Sequence, residues 1–267
     1  MSSAPTPLVA AYIRRVLAVR AAKLVEPAVV GRFFEEGSPG ELAEGLKELM
    51  TSIDLEGYRE GYHAALITLL DRTRVPYARL EELYRAAYGA GYGPVRSLLL
   101  SGPPRLEARA DDVQPDPLLV DTPLGRRKAM ARGHDRETLV RLCLDPHPQV
   151  VEILLDNPKL VERDLILMAS RRPTTQSVQD QIGVHGRWSF RYEVQRTLIN
   201  NPYTRPALAA GLVPFLRSNH LQEAANDARL HEAVRECATV VGEWRAALRE
   251  RPSGAPPAAP SRRETLQ

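Results

Sequence analysis

The sequence predicts an all-α fold: a helical N-terminal domain followed by an array of short helices. Three observations carry this. Apolar residues recur at spacings of three and four, the period of a helix. Aromatic residues make up only 6% of the 267 residues, and the Val/Ile/Thr alternation of strands is nearly absent. The second half is interrupted every 12 to 15 residues by a turn dipeptide, most often one ending in proline.

Taken in order, the stretch from Pro7 to Leu24 puts Leu8, Ala11, Tyr12, Val16 and Val19 on one stripe. Gly40 to Thr51 reads as a second helix. Leu55 to Arg72 carries Tyr58, Tyr62, Leu66 and Leu69 on its stripe, and Ala78 to Ala90 reads likewise. Pro and Gly punctuate the region at Glu26-Pro27, Ser38-Pro39-Gly40 and Val75-Pro76, which gives four or five helices in the first hundred residues. The run Gly89-Ala90-Gly91-Tyr92-Gly93 follows a helix with no strand before it. It is therefore a helix stop and turn, not a phosphate cradle.

Composition changes at about residue 101. Ser101 to Asp121 holds four prolines, and two arginines against five acidic residues. So little apolar area cannot offset the entropy of ordering, which predicts a Pro-rich acidic linker or extended strap over 101–123. A helical repeat domain is expected over 124–250 and a disordered Pro/Ala/Ser-rich tail over 251–267. Arg126 to Glu250 carries 19 basic and 15 acidic residues, while 1–100 carries 12 of each.

In the second half, Asp145-Pro146, Asn157-Pro158, Arg172-Pro173, Gly186-Arg187 and Asn201-Pro202 separate helices of about ten residues. Asparagine there is expected to end each helix in the left-handed region, with proline preventing its continuation. Val150 to Pro158 aligns with Val194 to Pro202, in the leading Val, the Leu and the Asn-Pro end. Thr204 is the expected N-cap of the next helix, and Leu154 and Leu198 are equivalent inward positions. The pattern from Val194 to Leu208 resembles leucine-rich-repeat-variant arrays and HEAT-like bacterial helical repeats, over about residues 124–237. The resemblance implies a HEAT-like α-solenoid. Such arrays usually serve as scaffolds or docking surfaces, and a minority, including a group of DNA glycosylases, bind nucleic acid. It carries over no catalytic residue.

Chemistry-bearing motifs are few. Cys143 and Cys237 sit in apolar surroundings and read as small buried hydrophobes, which leaves no disulfide framework. His134-Asp135 is a metal-ligand type of pair, but Asp135 suits the N-cap of the helix that follows. No HExxH, GxSxG or P-loop spacing occurs, so neither catalytic residues, nor a metal site, nor a cofactor is expected.

Two constellations read as interaction surfaces. Tyr58 and Tyr62, then Tyr84 and Tyr88, are i, i+4 pairs on helices. Arg171, Arg172, Arg187, Arg191, Arg196 and Arg205 lie near the repeat turns, with Trp188 and Tyr192 among them. Arg196 lies about 140° around a straight helix from Arg191, so a common face needs a break near Tyr192. The net charge of +3 names no polyanionic partner, and no apolar run reaches the ~20 residues of a membrane span. The expectation is a cytoplasmic, non-enzymatic scaffold that docks a partner protein. The alternative is a nucleic-acid-binding repeat using the arginine face.

Overall fold

The structure, a computed structural model, describes residues 5–19, 26–71, 73–99 and 102–250. Among them the chain forms fifteen α-helices and no strand. The expected continuation of the first helix to Leu24 and the expected disorder of 251–267 lie outside these residues.

Six helices form the first part: α1 (Pro7–Val19), α2 (Glu26–Glu36), α3 (Pro39–Thr51), α4 (Tyr58–Leu70), α5 (Tyr77–Gly89) and α6 (Gly93–Leu98). This is more than the expected four or five; the six-residue α6 is too short for periodicity to reveal. Gly91 does end the α5 region in the left-handed conformation, with φ of 71°. α1 packs on α2, α3 and α4, and α3 packs on α5. Val9, Tyr12, Ile13 and Val16 of α1 are buried.

The strap over the described residues 102–123 is an extended crossing with two short 3₁₀ turns, Ala110–Asp112 and Pro117–Leu119. Its contacts run backwards through the sequence of the second part. Leu106 N–H donates to Pro202 O at 3.0 Å, Gln114 O accepts from Arg171, and Asp116 pairs with Arg141 at 3.4 Å. The chain therefore crosses to the distal end of the second part before its helices begin. Val113 and Leu119 are the buried apolar anchors of this crossing.

From there nine helices return: α7 (Leu124–Ala131), α8 (Arg136–Leu142), α9 (Pro148–Leu155), α10 (Glu162–Ser170), α11 (Gln176–Val184), α12 (Tyr192–Ile199), α13 (Pro206–Leu212), α14 (Ser218–Asn226) and α15 (Glu232–Glu250). Alternate helices pack on each other: α7 on α9, α9 on α11, α10 on α12, and α13 on α15. Helices of seven to nine residues are unstable alone. They hold because each buries its stripe on the next, as Val150, Val151, Leu154 and Leu155 do in α9 and Val194, Leu198 and Ile199 in α12. Asp135 caps α8 by accepting from Thr138 N–H at 2.9 Å.

The asparagines join the helices by a different device from the one expected. No described residue other than glycine has a positive φ. Instead, the buried Asn157 amide donates to Ala131 O and Gly133 O, both at 2.8 Å. Asn201 repeats this, donating to Ala169 O at 2.7 Å and Arg171 O at 3.0 Å. Each Oδ1 accepts from the backbone N–H two residues on, at Lys159 and Tyr203. One side chain thus closes its own turn and satisfies orphan carbonyls at the end of an earlier helix. Asp145 closes the same turn through His147 N–H, but a carboxylate has no N–H to give, and it accepts from Arg127 Nη1 at 2.6 Å. Thr204 is not an N-cap: α13 starts after Arg205, and the Thr204 hydroxyl donates to Leu198 O at 2.7 Å.

The two parts share one apolar cluster. α13 and α15 pack on α6, and α15 also meets α3. Gly211 of α13 is at the tightest point. A Cβ there would overlap Leu66 Cδ1 and lie 3.0 Å from Leu98 Cδ2. Its carbonyl accepts from the Tyr62 hydroxyl at 2.8 Å. Tyr62→Phe leaves that buried carbonyl short of a partner and is expected to cost about 1–2 kcal/mol in urea unfolding, with m unchanged. An unchanged midpoint would show that this bond contributes nothing to joining the parts.

Candidate functional site

The expected tyrosine surface divides. Tyr62 is 0% exposed, and Tyr58 is buried with its hydroxyl donating to Glu48 Oε1 at 2.8 Å. Burial, with the Glu48 carboxylate, raises the Tyr58 pKa. Both are core residues, because their helix α4 is enclosed on several sides, with buried positions all round it. Tyr84 is partly buried against the core, whereas Tyr88 is 65% exposed beneath the Arg96 guanidinium.

The expected arginine face is also corrected. Trp188 is 2% exposed and donates its indole N–H to Leu155 O at 2.9 Å, so it is no surface platform. Arg187 lies over that ring and donates to Asn157 O and Leu160 O. Arg171 donates to Leu144 O and Gln114 O, and Arg172 to Asn200 O at 2.6 Å. These three arginines saturate helix-end carbonyls and fasten one turn to the next. Arg205 pairs with Asp180 at 2.7 Å, and Arg196 with Glu193 and Glu223. Arg191 stays largely exposed, 3.9 Å from Glu162. The break before Tyr192 is present, with Arg191 as N-cap of α12, but it does not gather the guanidinium groups on one face.

A serine–histidine pair that the sequence could not suggest is found between Ser189 and His63, 126 positions apart, at 2.9 Å. Such a distance is what an activated nucleophile needs. Here both residues are buried, and the Ser189 hydroxyl donates to His185 O at 2.8 Å. While the Ser189 hydroxyl donates to His185 O, His63 Nε2 is the donor of the pair and does not draw the serine proton. Its ring is stacked on Phe190 at 3.6 Å, which holds it as a packing element. Burial raises Cys143 to about 12 and Cys237 well above the usual thiol range, which removes thiolate chemistry at neutral pH. Among the described residues no group of three or more His, Cys, Asp or Glu could hold a metal ion.

The convergent polar site lies elsewhere. A pocket of about 360 Å³ is lined by Arg59, Arg217, Arg245 and Arg249, with Asp54, Ser218 and the rings of Tyr192 and Phe215. Arg59 comes from α4, Tyr192 from α12, Arg217 and Ser218 from the start of α14, and Arg245 and Arg249 from one face of α15. The Arg217 guanidinium lies over the Tyr192 ring at 4.7 Å, and the Arg217 backbone N–H donates to the Tyr192 hydroxyl, which also bonds His220 Nδ1. Arg59 lies over Phe215 and reaches Asp54 only at 4.0 Å. Arg249 donates to Ser218 Oγ at 3.4 Å.

Arg245 is 7% exposed. It donates to Leu216 O at 2.7 Å and to Pro214 O, while its Nε is buried without a hydrogen-bond partner. Burial lowers its pKa; Asp54 opposes that shift, and Arg249 and Arg59 add to it. No carboxylate lies within 4 Å of Arg217, Arg245 or Arg249 among the described residues. A buried cation without a counter-ion is costly, and its neighbours here are further cations. Arg245 and Arg249, four apart on one helix, were not among the expected surface arginines. Arg59 and Arg217 come from distant parts of the chain, and folding alone places them beside α15.

Two buried carboxylates elsewhere are paired, Asp145 with Arg127 and Asp164 with Arg136. Asp164 binds both Arg136 Nη atoms and Val161 N–H. Burial by itself would raise this carboxyl, but these bonds together hold it below its usual range. A depressed carboxylate stabilises the fold above its unfolded pKa, and that contribution is lost as pH falls through the folded value. The melting-temperature gap between the parent and Asp164→Asn is therefore expected to be largest near neutrality and to close toward acid. A gap independent of pH would contradict this. No helix is long and apolar enough to cross a membrane among the described residues. No family model, no curated protein and no solved structure matches the chain.

Proposed function

We propose that the chain is a non-enzymatic, HEAT-like α-solenoid scaffold of the cytoplasm, and that it docks an acidic segment of a partner protein in the arginine pocket. The observation that supports this reading is the uncompensated charge of that pocket. Four arginines face one nearby carboxylate, on walls contributed by both parts of the fold. Those walls belong to one apolar cluster, so the geometry is set before a partner arrives. The N-terminal helices then act as the cap that a repeat array requires at its end.

The alternative is nucleic-acid binding. It is favoured by Arg217 over Tyr192 and by Phe190, which remains 39% exposed and offers a stacking face. Convergence on one pocket argues for the protein reading, since a duplex presents phosphates along a line. The test is capture from the native source on immobilised parent and on Arg217→Glu/Arg249→Glu, with and without nuclease. The parent is expected to retain a protein that nuclease does not release and that the double variant fails to hold. Retention that nuclease abolishes would favour the alternative.

A further inference from the structure

The pocket carries more information than its sign. Resting on the docking reading above, we infer that it is a receptor for a phosphoryl group borne on the partner's side chain. Four guanidinium groups line about 360 Å³, and Asp54 is the only carboxylate lining it among the described residues. Asp54 is itself largely exposed and 4.0 Å from Arg59, so it neutralises little. A carboxylate ligand would supply one charge to this set. A phosphoryl group supplies about −1.5 to −2 at neutral pH and three acceptor oxygens, enough for several guanidinium forks at once.

Three further features point at a compact anion. Arg245 is buried without a paired carboxylate, so it adds positive charge at the pocket wall rather than a direct ligand contact. Its two Nη groups are held by the carbonyls of Leu216 and Pro214, which fix the plane of the guanidinium. α14 begins at the pocket wall with Ser218, and no side chain caps its first turn. Its free amides and helix dipole add positive potential on the same side. Arg217 is held by its stacking on Tyr192, which leaves its N–H groups for a ligand at little cost in entropy. A polynucleotide could place one phosphate here, but Arg171, Arg172 and Arg187 fasten carbonyls, and Arg196 and Arg205 pair with acidic side chains.

The experiment uses the full chain and four probes in calorimetric titration. They are inorganic phosphate, a degenerate peptide pool with a central phosphorylated residue, the same pool unphosphorylated and enriched in Asp and Glu, and a 20-nucleotide single strand. The variants are Arg217→Gln/Arg249→Gln, whose side chains are exposed, and the control Arg191→Gln outside the pocket, each checked by circular dichroism. The phosphorylated pool is expected to bind at least tenfold tighter than the acidic pool. The double variant should lose at least tenfold of that affinity, the control should keep it, and inorganic phosphate should compete. Equal binding of the acidic pool would overturn the phosphoryl assignment and leave the docking reading standing. Binding of inorganic phosphate with no peptide preference would overturn the side-chain source. Absence of binding by either pool would overturn both readings, and tighter binding of the single strand, lost in the double variant, would replace them with the nucleic-acid alternative.

Discussion

Asn201→Asp is expected to destabilise the protein by about 3–5 kcal/mol, the range for an uncompensated buried charge. The substitution keeps shape and volume. It replaces the amide that donates to Ala169 O and Arg171 O with an oxygen facing two oxygens at 2.7 and 3.0 Å. Two helix-end carbonyls lose their partner, and a buried carboxylate gains none. Asn201→Ala, which removes the donor without adding charge, is expected to cost less, about 2–3 kcal/mol. Asp145 shows what an aspartate needs at such a turn: Arg127 reaches it at 2.6 Å. Urea unfolding of both variants checks the order. If the aspartate variant is no weaker than the alanine variant, the amide does not fasten the helices as described. Asn157→Asp should behave alike, because its donors meet Ala131 O and Gly133 O in the same way.

Leu154→Ala and Leu198→Ala are each expected to cost about 2–5 kcal/mol through lost burial and the cavity left behind. Both side chains are fully buried, one in α9 and one in α12. Their helices have eight residues each and cannot stand without neighbours. The loss should therefore spread, and hydrogen exchange should rise in α7 and α11 around Leu154, and in α10 and α13 around Leu198. Thermal melts that overlay the parent would show the two positions are not equivalent core sites. Protection lost only in the mutated helix would show that the helices do not support one another.

Much of the fold was legible because helix period and proline punctuation are local. The 3.6-residue spacing located α3, α4 and α5, and the turn dipeptides marked the ends of α9, α10 and α12. The equivalence of Leu154 and Leu198 followed from aligned spacing, and both prove inward-facing. The candidate site was not legible for the opposite reason. An arginine in the sequence looks the same whether it fastens a carbonyl, as Arg171, Arg172 and Arg187 do, or lines a pocket, as Arg217 and Arg249 do. Trp188 and Tyr62 have the composition of interface residues, yet their polar atoms find backbone acceptors inside the fold.

By itself the sequence determined that this chain is helical, where most of its helices turn, and which stripe of each is apolar. These follow from backbone sterics and side-chain period, which act over a few residues. The tertiary structure decided that the strap crosses the second part backwards, that α13 and α15 return to α6, and that Arg59 meets Arg245 beside Tyr192. Those outcomes depend on which apolar stripes find each other. That choice is made by the summed burial of many residues far apart in the chain, and no local pattern encodes it.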